Sequence, residues 1–317
     1  MKAQSSAIEP RTITPPGGLA LGALGVLAFS LSLPATRLAV HELDPWFVAF
    51  GRAVGAAGLA AAYLWLTRAP RPTPRQWRRL SVAALGVVVG FPLFTSLALT
   101  TQTSAHGAVV ITVLPAMTAV FAVLRAGERP PRAFWLAAVT GLLSVLAFVA
   151  ATGATSGALS PADLFLLAAV VLCGLGYAEG GALSRELGGA RTICWALLLA
   201  LPATLPVTLV SATVHPPHGT AQSWTAFAYL TVVSMFLGFF AWYAGLARGG
   251  VARVGQIQLG QPVLTLLWSA LLLGETVPPA ALAVALLVLL CVILTQRTRT
   301  SPAQHPIQNE LATARNN

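Results

Sequence analysis

The sequence predicts an all-α membrane protein of ten transmembrane helices, arranged as two inverted five-helix repeats. Three observations predict it. The 317-residue chain is 56% hydrophobic and only 9% charged, with a mean hydropathy of +0.77, whereas about a quarter of the residues in a soluble domain are charged. The block Pro115 to Glu128 (PAMTAVFAVLRAGE) returns as Pro262 to Glu275 (PVLTLLWSALLLGE); 262 minus 115 and 275 minus 128 both give an offset of 147, with no gap. At that offset Leu99 also pairs with Leu246, Ala105 with Ala252, Thr118 with Thr265 and Pro131 with Pro278. Third, Lys and Arg gather at alternate ends of the apolar runs, as they do on the cytoplasmic side of membrane helices.

A span takes about 20 apolar residues at about 1.5 Å rise each. The first run, 18–40, follows Lys2 and Arg11 like a secretory signal, but it is roughly twice a typical signal core and reads as a retained helix. The second, 46–67, opens behind Pro45, and the third, 78–100, follows an Arg-rich loop. Next come 105–124, which contains Pro115, and 133–151. The second half supplies 163–184, 192–213, 224–247, 253–273 and 279–296. The division is then a tail at 1–17, a first repeat at 18–151, a polar linker at 152–162 (from TGATSGALSP), a second repeat at 163–297 and a tail at 298–317. Both tails have the composition of disordered segments.

With the N-terminus inside, the inner face receives Lys2, Arg11, Arg68, Arg71, Arg75, Arg78, Arg79, Arg125, Arg129, Arg132, Arg185, Arg191, Arg248, Arg253, Arg297, Arg299 and Arg315. The outer face keeps Arg37, and Arg52 lies within the second run. This places the chain in the cell's inner membrane with both termini cytoplasmic. Five helices per half force the second half to enter the membrane upside down.

The net charge of +10 does not point to nucleic acid, because the arginines sit in short clusters between apolar runs. Cys173, Cys194 and Cys291 each fall inside an apolar run and read as small core residues, without disulfide or metal spacing. No GxxxxGK[ST] phosphate loop and no HExxH zinc motif occurs, so no cofactor or metal is expected. Glycines at helical spacing, Gly51/Gly55, Gly86/Gly90, Gly176/Gly180 with Ser184, and Gly245/Gly249, are read as close-packing points between helices.

Several short motifs carry a resemblance. The first half has Leu43-Asp44-Pro45-Trp46 leading to Arg52, the stretch Ala98 to Ala105, Leu114-Pro115 and Gly127-Glu128. The second has Trp242-Tyr243-Ala244-Gly245-Leu246-Ala247-Arg248-Gly249-Gly250, Gln261-Pro262 and Leu273-Gly274-Glu275. Over residues 18–297 the chain resembles EamA-type transporters of the drug/metabolite transporter superfamily. The resemblance implies a ten-helix inverted-repeat fold, a central cavity between the halves and export of small metabolites or drugs, without naming a substrate.

Glu179 is the most costly placement, since an acid at the centre of a membrane helix is penalised by about 2.5 kcal/mol or more. Six residues before Arg185, it lies roughly 9 Å above the cytoplasmic end of its helix. It is either a proton-carrying or cation-binding carboxylate, or the structural partner of a nearby Arg or an interhelical hydrogen bond. Its setting, Tyr177-Ala178-Glu179-Gly180-Gly181, departs from the family pattern. Arg52 lies about 10 Å below the outer surface, placed either to bind a substrate carboxylate or to brace its helix, within snorkelling reach of the interface.

Gln258, Gln261, Thr265 and Trp268 share one face of the ninth run, where amides need either a substrate cavity or neighbouring helices as partners. Trp242 and Tyr243 are either an interfacial anchor or part of a cavity wall or gate. Pro115 and Pro262 interrupt their helices and suit hinges or static kinks. Glu128 and Glu275 read as structural, pairing with loop Arg or capping the following helix. His41, Glu42 and Asp44 read as a solvated loop rather than a metal site.

The expected activity is that of a secondary transporter, exporting a small amino acid-like, polar or amphipathic metabolite or a drug by alternating access, with a proton coupled through Glu179. A membrane-embedded enzyme using Glu179 with Arg52, or a sensing or structural membrane protein, are the rivals. The partners expected are a small-molecule substrate, the lipid bilayer, a proton or other coupling ion and a second copy in a homodimer.

Overall fold

The computed structural model of the chain describes residues 17–126, 160–249 and 256–283, with isolated positions 136, 139, 140, 143, 254, 285–287 and 290. Both tails, Glu128, Pro131, Arg253, Cys291, most of the expected run 133–151 and nearly all of the linker lie outside the described residues.

Among the described residues the fold is helical, and seven helices are long and apolar enough to cross a membrane. They are α1 (Gly17–Val40), α2 (Pro45–Leu66), α3 (Pro74–Ala98), α4 (Ser104–Leu124), α5 (Pro161–Leu187), α6 (Gly189–Val214) and α7 (Ala221–Arg248). A shorter apolar helix, α8 (Gln261–Leu273), follows a 3₁₀ stretch at Gln256–Gly260. The expected runs match these within a few residues except at two starts. Helix α3 begins at Pro74 because Thr73 and Gln76 form a reciprocal capping box, which puts Arg75, Arg78 and Arg79 on its first turns rather than in the loop. The expected start of the ninth run, at 253, lies outside the described residues; α8 itself opens at Gln261, where Pro262 occupies the second position.

Apolar side chains such as Leu24, Leu209, Val210 and Leu271 point outward, while Arg52, Asp163, Glu179, Gln258 and Gln261 are buried. A bilayer solvates the first set, and protein partners must serve the second. Helix α2 packs along α6, α1 along α7, α3 along α5, and α4 against α5 and α8.

Four helices depart from α geometry within their length, α4 among them at Thr112–Val113. In α1 the helix is interrupted at Leu31, because Pro34 has no N–H for the Ser30 carbonyl; the Thr265 hydroxyl of α8 donates to that carbonyl at 2.8 Å. In α3 a π-helical stretch spans Ala84–Gly90, ahead of Pro92. In α7 a second spans Leu230–Leu237. Gly90 and Leu237, where the two π stretches end, are 237 minus 90, or 147, residues apart. The helical segments Leu114–Ala126 and Gln261–Leu273 are 13 residues each and begin at the same offset, each with proline second. The π stretches and the proline-led segments thus recur in both halves of the chain, whereas the α1 break does not, α5 being continuous from Pro161 to Leu187.

The hydrophilic ends of the bundle are tied by carboxylates. Asp44 caps α2, accepting from the Trp46 and Phe47 N–H groups at 3.0 Å each and from Ser211 of α6 at 2.6 Å. Glu42 accepts from the Thr220 N–H at 2.6 Å, the Thr220 hydroxyl at 2.9 Å and the Ser223 hydroxyl at 2.6 Å, which anchors the start of α7. These donors, Ser223 first and then Thr220, hold the Glu42 carboxyl below its ordinary value of 4.5. A depressed carboxylate stabilises the fold above its unfolded pKa and loses that contribution as pH falls through the folded value. Glu42→Gln is therefore expected to melt lower than wild type at pH 7, with the gap closing below pH 4.5. Parallel melting curves across pH would check it, and a constant gap would refute the assignment.

Candidate functional site

The irregular segments converge on one cavity in the bundle centre. Its wall takes Phe29, Ser32 and Leu33 from around the α1 break, Arg52 from α2, and Val87, Phe91 and Pro92 from the π stretch of α3 and the turn after it. Helix α5 adds Cys173 and Tyr177, α7 adds Ser234, Met235 and Phe239, and α8 adds Gln261. Non-α backbone is tolerated at membrane depth where it is enclosed by protein or lines a cavity, and π stretches collect at functional sites. About 20 Å³ is open to water centres, room for about one or two waters. Anything larger enters only if the helices part.

Arg52 dominates the cavity electrostatically. Its side chain is 2% exposed, and Nη1 reaches the Thr36 hydroxyl at 3.5 Å, the limit of a hydrogen bond. Nε and Nη2 have no partner among the described residues. An uncompensated buried cation costs several kcal/mol, so the position carries a penalty that packing does not repay. The carbonyl oxygen of Gln261, another residue of the wall, is likewise without a partner among the described residues. By contrast, Ser32 and Ser234 satisfy each other across α1 and α7 at 2.7 Å.

The rings of the wall pack on one another and on Trp242 behind them. Phe29 meets Phe239 at 4.9 Å and Trp242 at 6.2 Å between centroids, and Tyr177 meets Trp242 at 5.6 Å. Trp242 and Tyr243 are therefore enclosed in the bundle, not set at a membrane interface, and they support the lining without belonging to it. Glycines make the room. A Cβ on Gly25 would stand 2.9 Å from the Trp242 Cβ, and one on Gly180 would enter the Tyr243 ring, whose hydroxyl donates to the Gly176 carbonyl at 3.3 Å.

The expected Gln258–Trp268 face divides. Gln261 reaches the cavity. Gln258 is buried off the wall with its amide nitrogen unpartnered among the described residues. Thr265 and Trp268 hold the α1 break, through the Ser30 carbonyl at 2.8 Å and the Ser30 hydroxyl at 3.0 Å. Pro115 and Pro262 each open a helical segment beyond an interruption, at Thr112–Val113 and at the 3₁₀ stretch respectively.

Glu179 is 4% exposed and stands off the cavity wall. Its Oε2 accepts from Arg79 Nε at 3.0 Å, and the same guanidinium donates through Nη1 to Glu186 at 3.0 Å. Gln76 donates to the other Glu186 oxygen at 3.1 Å, completing a network between α3 and α5 at the arginine-bearing end. The opposite end is closed differently. Glu275 accepts from the Ser104 N–H, the Ser104 hydroxyl and the Ala105 N–H, all at 2.9 Å, so it caps α4 rather than the helix that follows it. His106 meets Asp163 at 2.7 Å in the interior there, and Arg37 donates to the Leu99 and Thr100 carbonyls that end α3.

Sequence reasoning found Arg52, Tyr177 and Gln261 on the wall but missed Ser32, Ser234, Phe29, Phe239 and Cys173, and it counted Arg79 among the charges at the inner surface. Pro34 and Pro92, each inside an apolar run, were the readable sign of the irregular segments.

Compared with known proteins, residues 16–150 and again 160–297 match the profile of the EamA-like transporter family. The chain is 46% identical over 284 residues to a Bacillus subtilis (strain 168) protein named Uncharacterized transporter YdeK, covering 87% of this chain and 96% of that one. It is 24% identical over 258 residues to an Archaeoglobus fulgidus protein named Uncharacterized transporter, covering 80% and 88%. A solved structure titled Crystal structure of protein aligns with a TM-score of 0.59 at 19% identity, over 88% of this chain and 97% of that one. That last likeness concerns the fold alone.

Proposed function

Because the chain belongs to the EamA-like transporter family, we propose that it is a secondary carrier that exports a small metabolite through the central cavity by alternating access. The observation that carries this reading is that Arg52, with two nitrogens, and Gln261, with its carbonyl oxygen, lack partners among the described residues and line a cavity to which interrupted helices of both halves contribute. Interrupted helices at corresponding positions of two repeats are where carriers place their sites. The recurrence of the π stretches and of the Pro115 and Pro262 segments at one offset supports two related halves, which we take to be ten helices in two inverted repeats.

With the arginine-bearing end in the cytoplasm, the two closures have distinct parts. The cytoplasmic closure is the Arg79–Glu179–Glu186–Gln76 network joining α3 and α5. The outer closure includes Glu275 on the start of α4 and Glu42 on the start of α7. Rocking of the halves breaks one set while keeping the other, and the interruptions at Leu31, Pro115 and Pro262 absorb the bending. Substrate-dependent flux in proteoliposomes tests the carrier reading; silence across a broad metabolite panel would sink it.

Proton coupling through Glu179 is a second reading, favoured by the near-complete burial of that carboxylate beside Arg79. A proton there would release Arg79 and loosen the cytoplasmic closure. Glu179→Gln is expected to weaken that closure by about 1–2 kcal/mol, less than for a fully enclosed pair because Arg79 is partly exposed. If the variant keeps the wild-type pH dependence of flux, the carboxylate is a latch and carries no coupling proton.

A further inference from the structure

We infer that the cavity carries singly charged organic carboxylates with an apolar body, unaccompanied by a coupling ion, and discriminates against zwitterions and amines. The inference rests on the carrier reading above, narrows its substrate and stands as the alternative to proton coupling through Glu179.

The guanidinium supplies the first argument. Of the three nitrogens of Arg52, Nη1 is the one turned to Thr36, and the two left without partners are Nε and Nη2. Their N–H bonds lie on one edge of the plane and form a side-on fork that matches the two oxygens of a carboxylate. One cation with one free fork suits one negative charge.

The rest of the wall supplies the second. Among the described residues that line the cavity there is no Asp or Glu, and Glu179, the buried acid singled out from sequence, is engaged by Arg79 off the wall. An ammonium group brought to this depth would add a second positive charge beside Arg52 with no carboxylate to offset it. The Gln261 oxygen accepts a neutral donor, such as a hydroxyl on the carbon next to the carboxylate, without the cost of a charge. Phe29, Phe91, Tyr177 and Phe239 leave the remainder of the cavity to an apolar or aromatic body.

The third argument concerns the driving force. A substrate anion that moves alone carries negative charge, and a potential of about 100 mV, inside negative, favours it outside by about fifty-fold. Export then needs no titrating group on the cavity wall, and none of the usual proton carriers, Asp, Glu or His, is found there among the described residues.

The test uses three probes that share one phenyl body: 3-phenyllactate (monoanion), phenylalanine (zwitterion) and phenethylamine (cation). Charge movement and uptake are measured in proteoliposomes with a potassium–valinomycin potential, against protein-free vesicles, because any leak of the neutral acid carries no current. The expected result is phenyllactate flux at least tenfold above that of the other two, with a current of the sign of a moving anion and a rate that follows the potential. Arg52→Gln should lower that flux at least tenfold, and Arg52→Lys, which keeps the charge but not the fork, should recover only part of it. Equal or greater flux of phenylalanine or phenethylamine, electroneutral phenyllactate flux, or flux of only zwitterions or cations from a wider panel would each overturn this inference and leave the carrier reading standing. No flux of any compound would overturn both.

Discussion

Arg52→Gln is expected to separate transport from stability, lowering flux of the transported compound by about ten- to one-hundred-fold while the detergent-solubilised protein melts at the wild-type temperature or above it. The loss follows from the charge-assisted bonds that the guanidinium offers, about 1.5–3 kcal/mol for hydrogen bonds to charged groups. The stability follows from what Arg52 lacks: it is 2% exposed with one contact at 3.5 Å and two nitrogens without partners among the described residues. Removing an uncompensated buried charge relieves its desolvation, and the glutamine amide is cheaper to bury. A residue retained at a cost to folding is the signature of a functional site. Melting curves and flux on the same preparation decide it. If Arg52→Gln melts much lower and transports normally once folded, Arg52 is a brace for α2 and the cavity has lost its anchor.

That Arg52 stands inside an apolar run was legible in the sequence, but its isolation was not. Seven residues past Pro45, it could equally have snorkelled to the outer interface, and only the packing of α2 along α6 and the α1 break around it enclose the guanidinium. The helices α1 to α8 were legible for a simple reason: apolar length is a local property, and the bilayer fixes how much is needed. The cavity wall was not, because most of its members are serines, aromatics and aliphatic residues, spread over six helices with Arg52 and Gln261, that are ordinary within their own runs. The Arg79–Glu179 pair was half legible. Charge counting placed Arg79 near the inner surface, and burial cost singled out Glu179, but their sequence separation hid that they meet. Trp242 and Tyr243 show the opposite failure. Aromatics near a helix end read either as an interfacial belt or as part of a cavity wall or gate, and the glycines at 25 and 180 that admit them into the bundle belong to other helices.

The largest stability effect is expected where α3 and α5 cross. A Cβ on Gly86 would lie 2.7 Å from the Gly176 Cα and 2.8 Å from its nitrogen, and it would also strike the Leu172 carbonyl oxygen. All three obstacles are backbone, so no rotamer change relieves them. Gly176 meets the same limit in reverse, with the Gly86 Cα and the Val87 nitrogen each 3.1 Å from its own would-be Cβ. Overpacking of a tight core costs about 1–3 kcal/mol and occasionally more, and Gly86→Val should reach or exceed the top of that range, seen as lost yield and a lower melting temperature. Gly58→Ala is the matched control: nothing stands within 4 Å of its Cβ, and removing a helix glycine is worth up to about 1 kcal/mol. The contrast matters for function because Val87 and Tyr177, the neighbours of the two crossing glycines, are cavity wall. Gly86→Ala, if it folds, pushes α3 and α5 apart at that wall and should impair transport beyond its loss of stability. A Gly86→Val protein with the melting temperature of wild type would mean that the two helices do not approach this closely, and the π stretch of α3 would then have no fixed position from which to shape the site.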